Sequence, residues 1–383
     1  MSLSLLLVLV LGFLLAYVNG ANDVSKGIAT LVGSGVTRYR SAIVWGASWT
    51  GAGSIVAATA AKAMVATFGN GFLTSGVTLT FAAAIAMLLG AGLWLVIATR
   101  TGLPVSTTHA IVGSVTGVAA VAYGAAGVHV AALAGKIGAP LLVSPAISLA
   151  LVFLILRRAR RHAVSSATTQ ASDCLCAGVE PVIAPAYAPA SNAAVASGLR
   201  LKLVTGTREA CAVNSPSAAR LTIDHLHWLT SGATSFARGM NDAPKIVALV
   251  LAAAALEGSG SLAGVPLPLF TAIGFAMVAG SLVGGRRVTE VLAERVTPMN
   301  HREGFVANLV TASLVTAGAT LGLPMSTTHV ASGGIIGAGA QRSSLNRKKL
   351  RDIALAWVVT LPASALLGIL AYLIANAAGS RAP

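Results

Sequence analysis

Acidic side chains are scarce in this sequence: 11 Asp and Glu stand against 26 Lys and Arg, and charged residues of both signs fill only 10% of its 383 positions. A soluble globular domain carries about 25%, so there is too little charge here to solvate the surface of one. Cysteine is confined to Cys174, Cys176 and Cys211, all in one polar stretch. That excludes a disulfide framework, and a lone Cys-x-Cys is weak evidence for a metal. There is no His-Glu-x-x-His run, and the histidines of the repeats described below have no Gly-x-Ser-x-Gly elbow nearby, so the common hydrolase arrangements are missing. Neither an enzyme nor a resident cofactor is expected.

Apolar residues are what the chain has in excess: 55% of it is hydrophobic and its mean hydropathy is +0.81. About 20 apolar residues cross a hydrocarbon layer roughly 30 Å thick. Runs approaching that length occupy residues 2–18, 41–65, 78–98, 138–156, 267–284, 305–319 and 353–378, and the shorter run 246–256 completes a span only together with 228–239. The expectation is an all-α polytopic membrane protein with about ten membrane segments. The first run reads as a retained helix rather than a signal peptide, because no Lys or Arg precedes Lys26 and a polar motif follows in place of a small-residue cleavage site.

A net charge of +15 in a soluble protein would point to nucleic acid. Here the basic residues gather in loops, at 157–162, 284–303 and 341–352, which is the bias that orients helices with basic loops inside. The expected partner is therefore the lipid bilayer and not nucleic acid, with the chain in a plasma membrane of the prokaryotic inner-membrane kind. Residues 157–224 read as a cytoplasmic linker, basic at its start and then rich in Pro, Ala and Ser, flexible rather than packed. It separates a first transmembrane repeat, 1–156, from a second, 225–383.

Those two halves are duplicates. Asn22-Asp23-x-x-Lys26 recurs as Asn241-Asp242-x-x-Lys245, and GLPVSTTHA from Gly102 recurs as GLPMSTTHV from Gly322, at offsets of 219 and 220. In the first half the loop after the motif helix is basic and the next is neutral; in the second half the order is exchanged. Equivalent loops then lie on opposite sides of the membrane, which makes the repeats inverted, a common build of secondary transporters with broken helices and a midplane site.

A charge at the bilayer centre costs about 2.5–3.5 kcal/mol on the lenient scale, so both polar motifs call for a functional explanation. One reading breaks the helix near Asn22 and Asp23, with one of them capping the continuation and its freed N–H groups attracting an anion. Pro104 and Pro324 interrupt helices in the same way, each as part of a re-entrant hairpin or of a full span. Ser106, Thr107 and Thr108, like Ser326, Thr327 and Thr328, then offer hydroxyls to an anion, or else simply cap a buried helix. Asp23 with Lys26, and Asp242 with Lys245, share a helix face. Either each pair neutralises itself, or the Lys faces the anion while the Asp holds a coupling cation. His109 and His329 are candidates for a proton relay or for hydrogen-bonded core positions. Arg238 is a further candidate whose counterpart, Asn19, is not basic.

Taken together, GANDVSKGIATLVGS, SFARGMNDAPKI and the paired GLPVSTTH and GLPMSTTH resemble the inorganic phosphate transporter (PiT) family, over residues 1–156 and 225–378. The resemblance implies a cation-coupled phosphate symporter of inverted-repeat architecture. It carries the site to Asn22, Asp23, Ser106, Thr107, Thr108, Asn241, Asp242, Ser326, Thr327 and Thr328; Lys26 and Lys245 join them beside the anion on the reading of the residues alone. Asp23 and Asp242 would hold the coupling ion, Na⁺ as a bound metal or H⁺. A homodimer is the assembly to test. Many members have small or amide residues where this chain has Lys26 and Lys245, and an added cation can replace part of a coupling ion's role. A symporter of sulfate or another oxyanion is the alternative, and a passive anion channel the next.

Overall fold

The computed structural model describes residues 2–70, 72–74, 77–165, 174–181, 199–206, 219–257, 267–341 and 345–379. The first half runs α1 (Leu3–Asp23), α2 (Ser25–Gly33), α3 (Tyr39–Ala60), α4 (Lys62–Asn70), α5 (Phe81–Thr101) and α6 (Thr107–Tyr123), then a short α7 (Val130–Ala132) that leads through a π turn into α8 (Ala139–Ser165). The second half runs α9 (Ile223–Ala254), α10 (Leu267–Gly284), α11 (Arg286–Glu294), α12 (His301–Leu321), α13 (Thr327–Ala340) and α14 (Arg347–Gly379).

Among the described residues six helices are long and apolar enough to cross a membrane, or seven if α3 and α4, bent by 80° at Ala61, form one span. The 32-residue α9 falls outside that set. It is long enough, at about 1.5 Å per residue, but its inward side carries the polar motif. Large side chains such as Phe275, Val283, Val358 and Ile374 stand exposed, as lipid-facing positions do; in a bilayer this exposure needs no cover.

Packing couples the halves reciprocally. Helix α1 lies on α10 while α9 lies on α3; α5 packs on α1 and α12 on α9; α6 packs on α14 and α13 on α8. Without a hydrophobic drive between helices in lipid, close approach depends on small residues. Gly20 and Gly239, the glycines ahead of the two Asn-Asp motifs, supply it: a Cβ on the first would overlap the Met277 carbonyl, and one on the second the Thr50 carbonyl. The short helices α4 and α11, nine residues each, serve the opposite hairpins in the same reciprocal way. Thr67 of α4 donates to Gly322 O at 3.0 Å, and Arg287 of α11 donates to Arg100 O at 2.7 Å.

Two expectations need correction. The helix does not open at Asn22 and Asp23. Val24, between α1 and α2, keeps helical angles, its N–H bonds Gly20 O, and no side chain caps α2; α9 runs unbroken through Asn241–Lys245 with Pro244 inside it. The polar side chains find partners on neighbouring elements, so the backbone has no need to open. The stretch read as a flexible linker also contributes strands beside the helical body. Strands β1 (Cys174–Pro181), β2 (Leu199–Gly206) and β3 (Ala219–Thr222) form an antiparallel sheet in the order β2-β1-β3. The alternation in LRLKLVTG is the strand signal; the Pro-Ala-Ser runs that suggested flexibility, 165–172 and 180–191, lie almost wholly outside the described residues.

The basic loops share one face. Arg38 and Arg40 of the first half line a cleft of about 490 Å³ with Arg286, Glu290 and Glu294 of the second. Arg160 reaches Glu303 at 2.9 Å and Gln341 O at 3.4 Å, which brings the ends of α8, α12 and α13 to the same side.

Candidate functional site

The hairpin tips are built by glycine and serine. Helices α5 and α12 end on Gly102 and Gly322, both left-handed with φ of 75° and 69°, a conformation glycine adopts without strain. Pro104 and Pro324 follow, and the chain re-enters a helix at Ser106 and Ser326. Both serines are N-caps: their hydroxyls accept from His109 N and His329 N, each at 3.2 Å. Ser326→Ala is therefore expected to cost about 1 kcal/mol of stability from the lost cap, readable as a lowered melting temperature.

The tips meet across the pseudo-repeat. Thr328 donates to Val105 O at 2.7 Å, and Thr108 donates to Met325 O at 3.4 Å. Two helix N-termini, those of α6 and α13, thus converge on one place, each bringing orphan amides and the positive end of its dipole. The Asn-Asp motifs hold the tips from either side. Asn22 donates to Thr99 Oγ1 at 3.2 Å and Leu103 O at 3.1 Å. Asn241 donates to Met325 O at 3.0 Å, to Asp242 at 2.8 Å and to Thr327 Oγ1 at 3.4 Å.

At the centre the halves share hydrogen bonds. Asn19 Nδ2 lies 2.8 Å from Thr107 Oγ1, 3.3 Å from Asp23 Oδ2 and 3.2 Å from Asp242 Oδ2, and Thr107 donates to Asp23 Oδ2 at 3.1 Å. One amide therefore ties the carboxylates of both repeats together. Lys26 pairs with Asp23 at 2.6 Å and Lys245 with Asp242 at 3.1 Å. Arg238 is fully buried; its Nη2 donates to Thr50 at 2.6 Å and to Ser281 at 3.3 Å. Its Nε and Nη1 have no hydrogen-bond partner among the described residues, although both Asp23 and Asp242 lie within its electrostatic reach. The rings of His109 and His329 lie 4.5 Å apart with their planes inclined by 50°, and His329 also packs on Trp357 at 3.9 Å.

The structure thus brings every candidate from the two repeats into one cluster, and none of them is more than 7% exposed. The centre is shut from both sides in this conformation. Asn19, which the sequence showed only as the non-basic counterpart of Arg238, is the residue to which sequence reasoning gave no role. A polar amide four residues before Asp23, in a segment meant to be apolar, was the available signal.

A duplicated helical body with opposed hairpin tips around a buried, solvent-shut polar centre defines a multi-pass membrane protein of the transporter class. This chain belongs to the phosphate transporter family, whose model matches residues 19–368. It is 29% identical, over 94% of its length and 70% of the relative's, to the chloroplastic inorganic phosphate transporter 2-1 of Arabidopsis thaliana. It is 29% identical, over 97% of both chains, to a protein of Pyrococcus abyssi named as a phosphate permease. A solved structure titled as the sodium-dependent phosphate transporter superposes with a TM-score of 0.77 at 21% identity, covering 98% of this chain and all of that one, a likeness that establishes the fold.

Proposed function

We propose that this chain imports inorganic phosphate by symport with a cation, Na⁺ or H⁺. The observation that carries this reading is the convergence of both hairpin tips, both Asn-Asp motifs and the half-partnered Arg238 on one buried centre. Phosphate needs donors and positive potential. The tips supply amides and the hydroxyls of Ser106, Thr107, Thr108, Ser326, Thr327 and Thr328, those of Thr107, Thr108 and Thr328 by turning from the protein oxygens to which they donate here; Asn22 and Asn241 position the tips; and Arg238 has two donor groups unused among the described residues, in a buried place where charge-assisted hydrogen bonds are strong. Lys26 and Lys245 act on the anion as nearby charges, since their own N–H groups are taken up by protein oxygens. Asp23 and Asp242 are the groups on which the coupling cation acts. The adjacent histidines are placed to pass a proton between the halves. Sulfate is the competitor a binding assay must include.

The repeats are read as inverted, with the hairpins α5–α6 and α12–α13 entering from opposite sides and about ten segments in the membrane when both are counted. The shared basic face is then cytoplasmic, by the rule that basic loops stay inside, with the strands of the central loop there and both termini outside. Thr80→Cys and Ala255→Cys are expected to react with a membrane-impermeant maleimide added to intact cells. Arg40→Cys and Lys348→Cys are expected to react only after permeabilisation. The reverse pattern would overturn the orientation. Phosphate binding to the purified chain, measured calorimetrically against sulfate, tests the substrate: tighter binding of sulfate would displace phosphate from the reading.

A further inference from the structure

The two buried lysines sit in matched surroundings. Lys26 Nζ touches Asn22 O at 2.8 Å, Asn22 Oδ1 at 2.8 Å and Asp23 Oδ1 at 2.6 Å. Lys245 Nζ touches Thr108 Oγ1 at 2.7 Å, Asp242 Oδ1 at 3.1 Å and Met325 O at 3.3 Å. Each ammonium has three N–H donors, and each meets three oxygens: one carboxylate, one backbone carbonyl, and one amide or hydroxyl. That set of hard oxygen ligands is what a protein offers a bare alkali or alkaline-earth cation. Here the distances are those of N–H···O hydrogen bonds, and the ammonium takes the place of the ion. A sodium ion does not fit either cage while the lysine occupies it. Evicting the lysine would break three charge-assisted bonds and strand an ammonium in the protein interior.

The charge of the centre says the same. Two carboxylates, Asp23 and Asp242, are outnumbered by three cations, Lys26, Lys245 and Arg238, so the cluster carries one net positive charge. With neutral amides in place of both lysines it would carry one net negative charge; one bound cation would neutralise it and a second would restore the net positive charge. The lysines therefore supply in covalent form the two positive charges that would otherwise have to come from solution.

We propose that Lys26 and Lys245 are tethered cations standing where coupling sodium ions would bind, so that this chain binds phosphate without sodium. The proposal rests on reading the centre as the phosphate site. Its first test needs no phosphate: binding of ²²Na⁺ to the purified wild-type chain, followed by scintillation proximity. No saturable sodium binding is expected in the wild type, whereas the Lys26→Asn, Lys245→Asn double variant, which empties both cages and returns an amide to each, is expected to gain it. Saturable binding by the wild type would overturn the proposal, and so would a folded double variant that binds no sodium. The second arm compares wild-type phosphate affinity in sodium and in choline. Equal affinities are expected, and a gain of roughly tenfold or more in sodium would overturn the tethered-cation role. If phosphate binds in neither salt, the phosphate reading fails while the ²²Na⁺ arm still decides the role of the lysines.

Discussion

Asp23→Asn is expected to abolish cation-driven phosphate uptake and to destabilise the protein by about 3–5 kcal/mol, the cost of leaving a buried ion without its partner. Asn keeps the size and much of the hydrogen bonding of Asp, so the effect isolates charge. Asp23 Oδ1 is the shortest of the three contacts of Lys26, and Oδ2 receives Thr107 and Asn19. Removing the charge strands the ammonium in a fully buried position. The double change Asp23→Asn with Lys26→Gln removes both charges and is expected to restore folded protein, measured as yield and melting temperature. Transport is expected to stay lost, because the carboxylate on which coupling acts is gone. Cation-driven uptake recovered in the double variant would mean that Asp23 does no more than neutralise Lys26.

Arg238→Gln is expected to lower phosphate affinity by tenfold to well over a hundredfold. The change removes Nε and Nη1, the guanidinium groups without partners among the described residues, and each hydrogen bond to a charged group is worth about 1.5–3 kcal/mol. It also takes away the charge that makes the centre net positive. Arg238 holds Thr50 and Ser281 as well, so part of any loss could come from loosened packing between α3 and α10. Arg238→Lys separates the contributions: charge is retained while the planar fork is lost, so an intermediate affinity is expected. Calorimetric titration with phosphate reads both variants, with melting temperature as the check on folding. Unchanged affinity in Arg238→Gln would remove this residue from the site.

Much of the centre was legible in the sequence, because polar residues inside apolar segments are expensive and these occur twice. The Asn-Asp-x-x-Lys motifs and the Ser-Thr-Thr tips stood out for that reason, and the structure gathers them in one cluster. What the motifs do for one another was not legible, since that depends on contacts across more than 80 residues of chain. Asn22 and Asp23 looked like caps for a broken helix; in the fold they reach the tip of α6 and Lys26 instead, and Ser106 and Ser326 are the caps. Asn19 was given no role because its bonds to Thr107 and Asp242 exist only once the halves are packed. Helix α9 runs through Pro244, a tolerance that membrane helices have when neighbouring groups satisfy the freed backbone. The strands of the central loop were hidden because the Pro-Ala-Ser flanks outweighed the alternation of Leu199–Gly206.

If the lysines stand in for sodium as proposed, the proton is the cation left for coupling. The central claim, a cation-driven phosphate importer, is tested most directly by uptake of labelled phosphate into proteoliposomes holding the purified chain, with proton and sodium gradients imposed one at a time. The account predicts accumulation above the outside concentration under an inward proton gradient with choline replacing sodium, lost when a protonophore collapses the gradient. Flux that only equilibrates phosphate under either gradient would contradict symport and make the centre that of a passive channel.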